Sequence, residues 1–217
     1  MNIGIVIYYS LLLLIFVLGT VRYKKLAVPY RLLTVYIGLT FVLEVFSTIC
    51  ANKFRNNLPV EHISSYSEFI FNALIFYMLL KSVLIKKLVK ISIAAITIFF
   101  IINSIWLQPF LHSFPSNAII VSEIALVIFS LLVFKQMLQY PLQVNITSQS
   151  VFWYNTAILF YSTTVFLNFG LTNYVIKHHL NNATYYNCRV ILNMIFYILL
   201  GIAIFIEDKK ITADNAE

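Results

Sequence analysis

Charged residues are scarce in this chain, at 11% of 217 positions against the roughly 25% of a typical soluble protein. Hydrophobic residues fill 61%. A water-soluble domain of this length has no interior large enough to hide that much apolar surface, so most side chains must be solvated by lipid. Glycine is rarer still, with five residues, and none forms a phosphate-cradling loop. The motifs CxxC, HExxH and GxSxG are missing, which removes the usual signatures of thiol redox, zinc-protease and serine-hydrolase chemistry. The seventh apolar run holds no lysine, so the retinal Schiff base of rhodopsins has no anchor there. An intramembrane hydrolase would need a histidine or a serine–base pair within a span, and the four histidines, His62, His112, His178 and His179, all fall in expected connections. No ligand-pair spacing among them supports a metal site, and neither metal nor cofactor is expected.

What the sequence does contain is a series of long apolar runs. Seven are of the length needed to cross a hydrocarbon core of about 30 Å as helix: about 4–21, 32–52, 64–84, 89–107, 117–135, 151–171 and 187–206. The expected fold is therefore all-α, a single polytopic membrane domain of seven transmembrane helices spanning 1–217. The first run is read as a span and not a cleaved signal, because no basic segment precedes it and Arg22, Lys24 and Lys25 follow it. Trp106 and Trp153 sit at span ends, as interfacial anchors do.

Lysine and arginine set the expected orientation. Arg22, Lys24, Lys25 and Arg31 follow span one; Lys81 at the edge of span three is joined by Lys86, Lys87 and Lys90; Lys135, Lys209 and Lys210 complete the same side. The other side has only Lys53, Arg55 and Lys177. The basic side reads as cytoplasmic, which places the N-terminus outside and the C-terminus inside. The net charge of +7 is thus topogenic, touching the bilayer's anionic lipid and not nucleic acid.

Ionisable groups within spans are costly and by default mark function or buried pairing. Glu44 (span two), Glu68 (span three), Glu123 (span five), Asn168 (span six), and Arg189 with Asn193 (span seven) all fall in the expected outer half. Ser47 and Thr48 share the Glu44 face, and Ser64, Ser65 and Asn72 share that of Glu68. The expectation is an outward-facing polar pocket lined by spans two, three, five, six and seven, with Arg189 offsetting part of the charge, suited to a small cationic or amine ligand or a proton. The competing reading is plain hydrogen bonding between helices. Cys50 and Cys188 are expected at similar depth on the oxidising side, where they are either a disulfide or ordinary packing residues.

The stretches Ser65-Tyr66-Ser67-Glu68-Phe69 and Phe152-Trp153-Tyr154-Asn155-Thr156-Ala157-Ile158-Leu159 resemble a group of uncharacterised seven-helix membrane proteins frequent in Bacteroidota, some similar to membrane sensor modules of histidine kinases. The resemblance implies an inner-membrane location and a signalling role. With about eleven residues after the last span and no output domain, such a role would pass through a separate membrane partner, a signalling or assembly component. The leading expectation is a receptor-like or accessory protein. A small transporter using the intramembrane carboxylates comes second, and a lipid-modifying enzyme third.

Overall fold

The computed structural model describes residues 3–139, 145–177 and 182–207, with the side chains of 3, 167, 169–177 and 182–189 outside the description. Helix makes up 88% of the structure, and the described residues contain no strand. The described residues form seven α-helices: α1 (Ile3–Arg22), α2 (Val28–Phe54), α3 (Leu58–Leu79), α4 (Val83–Ile102), α5 (Ser116–Gln139), α6 (Ser150–Lys177) and α7 (Asn182–Ile206).

Local chemistry sets the boundaries. Pro29 and Pro59 lie in the first turns of α2 and α3, where a missing N–H costs nothing. Arg55 ends α2 in the left-handed region at φ 54°. The Asn56 side chain then accepts from the Leu58 amide at 3.0 Å, leaving only three residues between the helices. The α3–α4 turn is held from a distance: Gln136 of α5 accepts from the Lys81 amide (2.7 Å) and donates to the Leu79 carbonyl (3.0 Å). Past α4, Asn103–Leu107 widen into a π turn.

The helices outrun the apolar stretches read from sequence. α2 has 27 residues, about 40 Å of helix, and so overshoots a core of about 30 Å. α3 begins at Leu58 and breaks at Leu80–Ser82, so the expected span 64–84 is displaced by about one and a half turns. Among the described residues, four stretches are long and apolar enough to cross a membrane: Gly4–Arg22, Val28–Phe54, Val83–Leu107 and Ser116–Gln139. α3 is less apolar because Glu61, His62, Ser64, Ser65, Ser67, Glu68 and Asn72 share it. The apolar part of α7 within the described residues is Val190–Ile206.

Six helices pack in a closed ring, in the order α1, α2, α3, α5, α6, α7 and back to α1, while α4 lies outside against α3 and α5. Apolar side chains turned away from this ring, such as Leu14, Val42, Phe46, Ile101 and Leu131, are exposed, which is the surface a lipid environment stabilises. Where α1 meets α2 the backbones approach closely: a Cβ on Gly19 would lie 2.6 Å from the Thr34 side chain, and one on Gly38 would lie 2.5 Å from the Phe16 ring.

Neighbouring chain ends define two faces. At the basic face Arg22 donates to the Glu207 carbonyl at 2.9 Å, and Ser150 donates to the Glu207 carboxylate. Lys81 and Gln136 meet at the same face. The opposite face joins Tyr9 to Thr48 (2.5 Å) and Asn56 to the Leu111 carbonyl (3.0 Å).

Candidate functional site

A cavity opens inside the ring, in the half nearer the face opposite the basic one, and every ring helix contributes to it. Tyr8 comes from α1; Tyr36, Thr40 and Glu44 from α2; Glu61, Ser64, Ser65 and Glu68 from α3. Ile119, Ser122 and Glu123 come from α5, Tyr161, Thr164 and Asn168 from α6, and Asn193 and Tyr197 from α7. Five of the six residues singled out from sequence thus share one wall system: Glu44, Glu68, Glu123, Asn168 and Asn193. Arg189 occupies α7 one turn before Asn193, and its side chain lies outside the described residues, as does that of Cys188. Cys50 is buried near the end of α2. His178 and His179 also lie outside the described residues.

The carboxylates differ in how they are held. Glu44 Oε1 accepts from the Tyr8 hydroxyl at 3.2 Å. Glu61 Oε1 accepts from Ser47 (2.9 Å) and from Asn57 (3.0 Å), and Asn57 also donates to Ser47 at 3.0 Å. This triangle ties α2 to the start of α3. Asn72 donates to the backbone carbonyl of Glu68 at 2.9 Å and fixes that turn. Glu123 is 3% exposed, and its Oε2 has no hydrogen-bond partner among the described residues. The nearby Ser162 hydroxyl is buried and equally unpartnered. A buried oxygen left so forfeits about 1–3 kcal/mol, which a donor seated in the cavity restores.

A second cavity of about 330 Å³ adjoins the first on the side of the opposite face, lined by Tyr9, Ser47, Thr48, Asn52 and Asn57 among others. The two share Tyr8, Glu44, Glu61 and Asn193, which form the neck between them. Toward the basic face the inner cavity is closed by aromatic packing. Tyr161 stacks on Phe196 at 4.2 Å between centroids, Phe76 packs on Tyr154 at 5.5 Å and on Phe129 at 6.0 Å. Beneath this floor, Tyr154 donates to Asn72 Oδ1 (2.9 Å), and Ser130 and Asn155 bond reciprocally.

Three sequence readings are corrected. Glu61 and His62 are the fourth and fifth residues of α3 and do not belong to a connection. His62 is 3% exposed, with its ring nitrogens against Ser104 Oγ and the Ser113 carbonyl, both at 2.9 Å. Glu68 lies ten residues into its helix, about 15 Å from the start instead of one turn. Span one, read as contributing nothing, supplies Tyr8. The tyrosine wall of Tyr8, Tyr36, Tyr161 and Tyr197 was also missed, since aromatics in apolar runs read as interfacial. For Glu61 a signal existed: it precedes Glu68 by seven and Ser64 by three, one helical face, and Pro59 marks a helix start.

Among the described residues no lysine, arginine or histidine lines either cavity. Glu44, Glu61, Glu68 and Glu123 contribute carboxyl groups to a lumen that Tyr8, Tyr36, Tyr161 and Tyr197 line with phenol rings. No three metal-ligating side chains converge among the described residues. No family model, no curated protein and no solved structure matches the chain.

Proposed function

We propose that this chain is a receptor-like or accessory protein of a bacterial inner membrane that binds a small cationic or amine ligand and acts through a separate membrane partner. In this reading all seven helices span the bilayer, the basic face is cytoplasmic, and the cavity opens outward. The observation that carries it is Glu123: a carboxyl buried in the ring, one oxygen unpartnered, facing a lumen shared with Glu44, Glu61 and Glu68. The lysine and arginine excess at the basic face supports the orientation. The lining helices α6 and α7 continue to the Ser150–Glu207 contact, so occupancy bears on groups a cytoplasmic-side partner would meet.

The test is ligand-dependent stability of the purified protein in nanodiscs, with methylammonium and tetramethylammonium as probes. Saturation at about one hundred times Kd adds about 2.7 kcal/mol. The expected result is a thermal shift in the native chain that Glu123→Gln and Glu44→Gln abolish; shifts unchanged by both substitutions sink the reading. In-membrane crosslinking followed by mass spectrometry tests the partner, and capture of nothing above background removes that part.

A transporter is the second reading, favoured by the buried polar groups Asn72, Tyr154, Ser130 and Asn155 below the cavity floor. Flux into proteoliposomes that depends on Glu68 or Glu123 would select it.

A further inference from the structure

We propose that the ligand is an elongated aliphatic cation with two or more ammonium centres, a diamine or polyamine, engaged by two tiers of carboxylates. The inference rests on the reading of the cavity as a cation site and adds its ligand class.

The tiers follow from helix register. The Ser47–Glu61 bond places these two residues at one level. Because α2 and α3 run in opposite directions, Glu44 lies three residues deeper than that level, about 4–5 Å, and Glu68 seven residues deeper, about 10 Å. α5 runs with α3, and Gln136 bonds Leu79 and Lys81. Counting back from there puts Glu123 within about 3 Å of the depth of Glu68. Glu68 and Glu123 thus form a deep tier on adjacent helices, and Glu44 and Glu61 an upper tier at the neck between the two cavities.

A compact cation does not use this arrangement. The carboxylates are too dispersed for any three metal-ligating groups to converge among the described residues. The inner cavity offers about 80 Å³ for water-sized contents, room for a slim chain, since each water needs at least about 10–15 Å³ on that measure. Between the tiers the wall is phenolic, with Tyr8 and Tyr197 rings 5.9 Å apart, a surface that packs methylenes and also accepts ammonium groups. The unpartnered Glu123 Oε2 supplies a deep acceptor for one ammonium, and the upper tier receives another at the neck.

Two charged contacts on one flexible molecule make the second contact intramolecular, so a two-centre amine should exceed its one-centre analogue by about tenfold or more. The experiment is isothermal titration of the full chain in nanodiscs with 1,4-diaminobutane, spermidine and butylamine. The expected result is that preference for the two polyvalent amines, reduced to under about threefold in Glu61→Gln and, as an independent variant, Glu44→Gln. Butylamine binding as tightly as 1,4-diaminobutane overturns the two-tier inference while leaving a cation site standing. Absence of binding by every amine overturns both.

Discussion

The Tyr8 hydroxyl donates to Glu44 Oε1 across 3.2 Å, and the adjacent Tyr9 hydroxyl reaches the Glu44 backbone carbonyl at the same distance. Two consecutive tyrosines of α1 thereby fix one glutamate of α2 at the neck between the cavities. Tyr8→Phe keeps the ring against Tyr197 and removes only the donor. Side-chain hydrogen bonds within membrane bundles average about 0.6 kcal/mol, and the loss should be of that size in reversible unfolding. A loss above about 3 kcal/mol would show that Tyr8 supports far more than this contact.

Asn155 and Ser130 should cost more to disturb. Their side chains and backbones exchange bonds at 2.8, 3.0 and 3.1 Å, and both residues are fully buried. Asn155→Ala removes the two bonds made by the Asn155 side chain and leaves the Ser130 hydroxyl only the residue-155 carbonyl, so at about 0.5–1.5 kcal/mol for each lost bond a destabilisation of about 1–3 kcal/mol is expected. Ser130→Ala combined with Asn155→Ala should cost less than the sum of the two singles, which a double-mutant cycle measures.

The close α1–α2 approach predicts an ordering among glycines. Gly19→Ala would drive a methyl to 2.6 Å from two Thr34 atoms, whereas Gly201→Ala meets Ile15 at 3.2 Å. Overpacking of the first kind costs about 1–3 kcal/mol. Gly19→Ala should therefore lower the melting temperature clearly more than Gly201→Ala; equal effects would mean that α1 and α2 part without penalty.

Much of this was legible in the sequence, for identifiable reasons. Long uncharged runs locate helices because an unsatisfied backbone is untenable in lipid. Such runs measure hydrocarbon and not helix, so the overshoot of α2 and the early start of α3 at Pro59 escaped them. The cost of polar groups in a span picked out Glu44, Glu68, Glu123, Asn168 and Asn193, which share one cavity wall. Glu61 escaped because it lies beside His62 in a polar stretch that resembled a loop. The four wall tyrosines are indistinguishable by type from the other ten in the chain, and only ring closure assigns them inward. Residues 83–102 hold no acidic or amide side chain, so the expected pocket omits this helix, but its place outside the ring follows only from packing.

The measurement that bears most directly on an outward-facing, cation-selecting cavity is thiol labelling in intact cells. With Cys50 and Cys188 replaced by alanine, single cysteines at Ser65 and Thr164, both on the inner cavity wall, are exposed to membrane-impermeant methanethiosulfonates of opposite charge. A lumen lined by four carboxylates should admit the cationic ethylammonium reagent at least about tenfold faster than the anionic ethylsulfonate, with the difference shrinking in high salt. Equal rates for the two reagents, or labelling only after the cytoplasmic side is opened, would contradict the account.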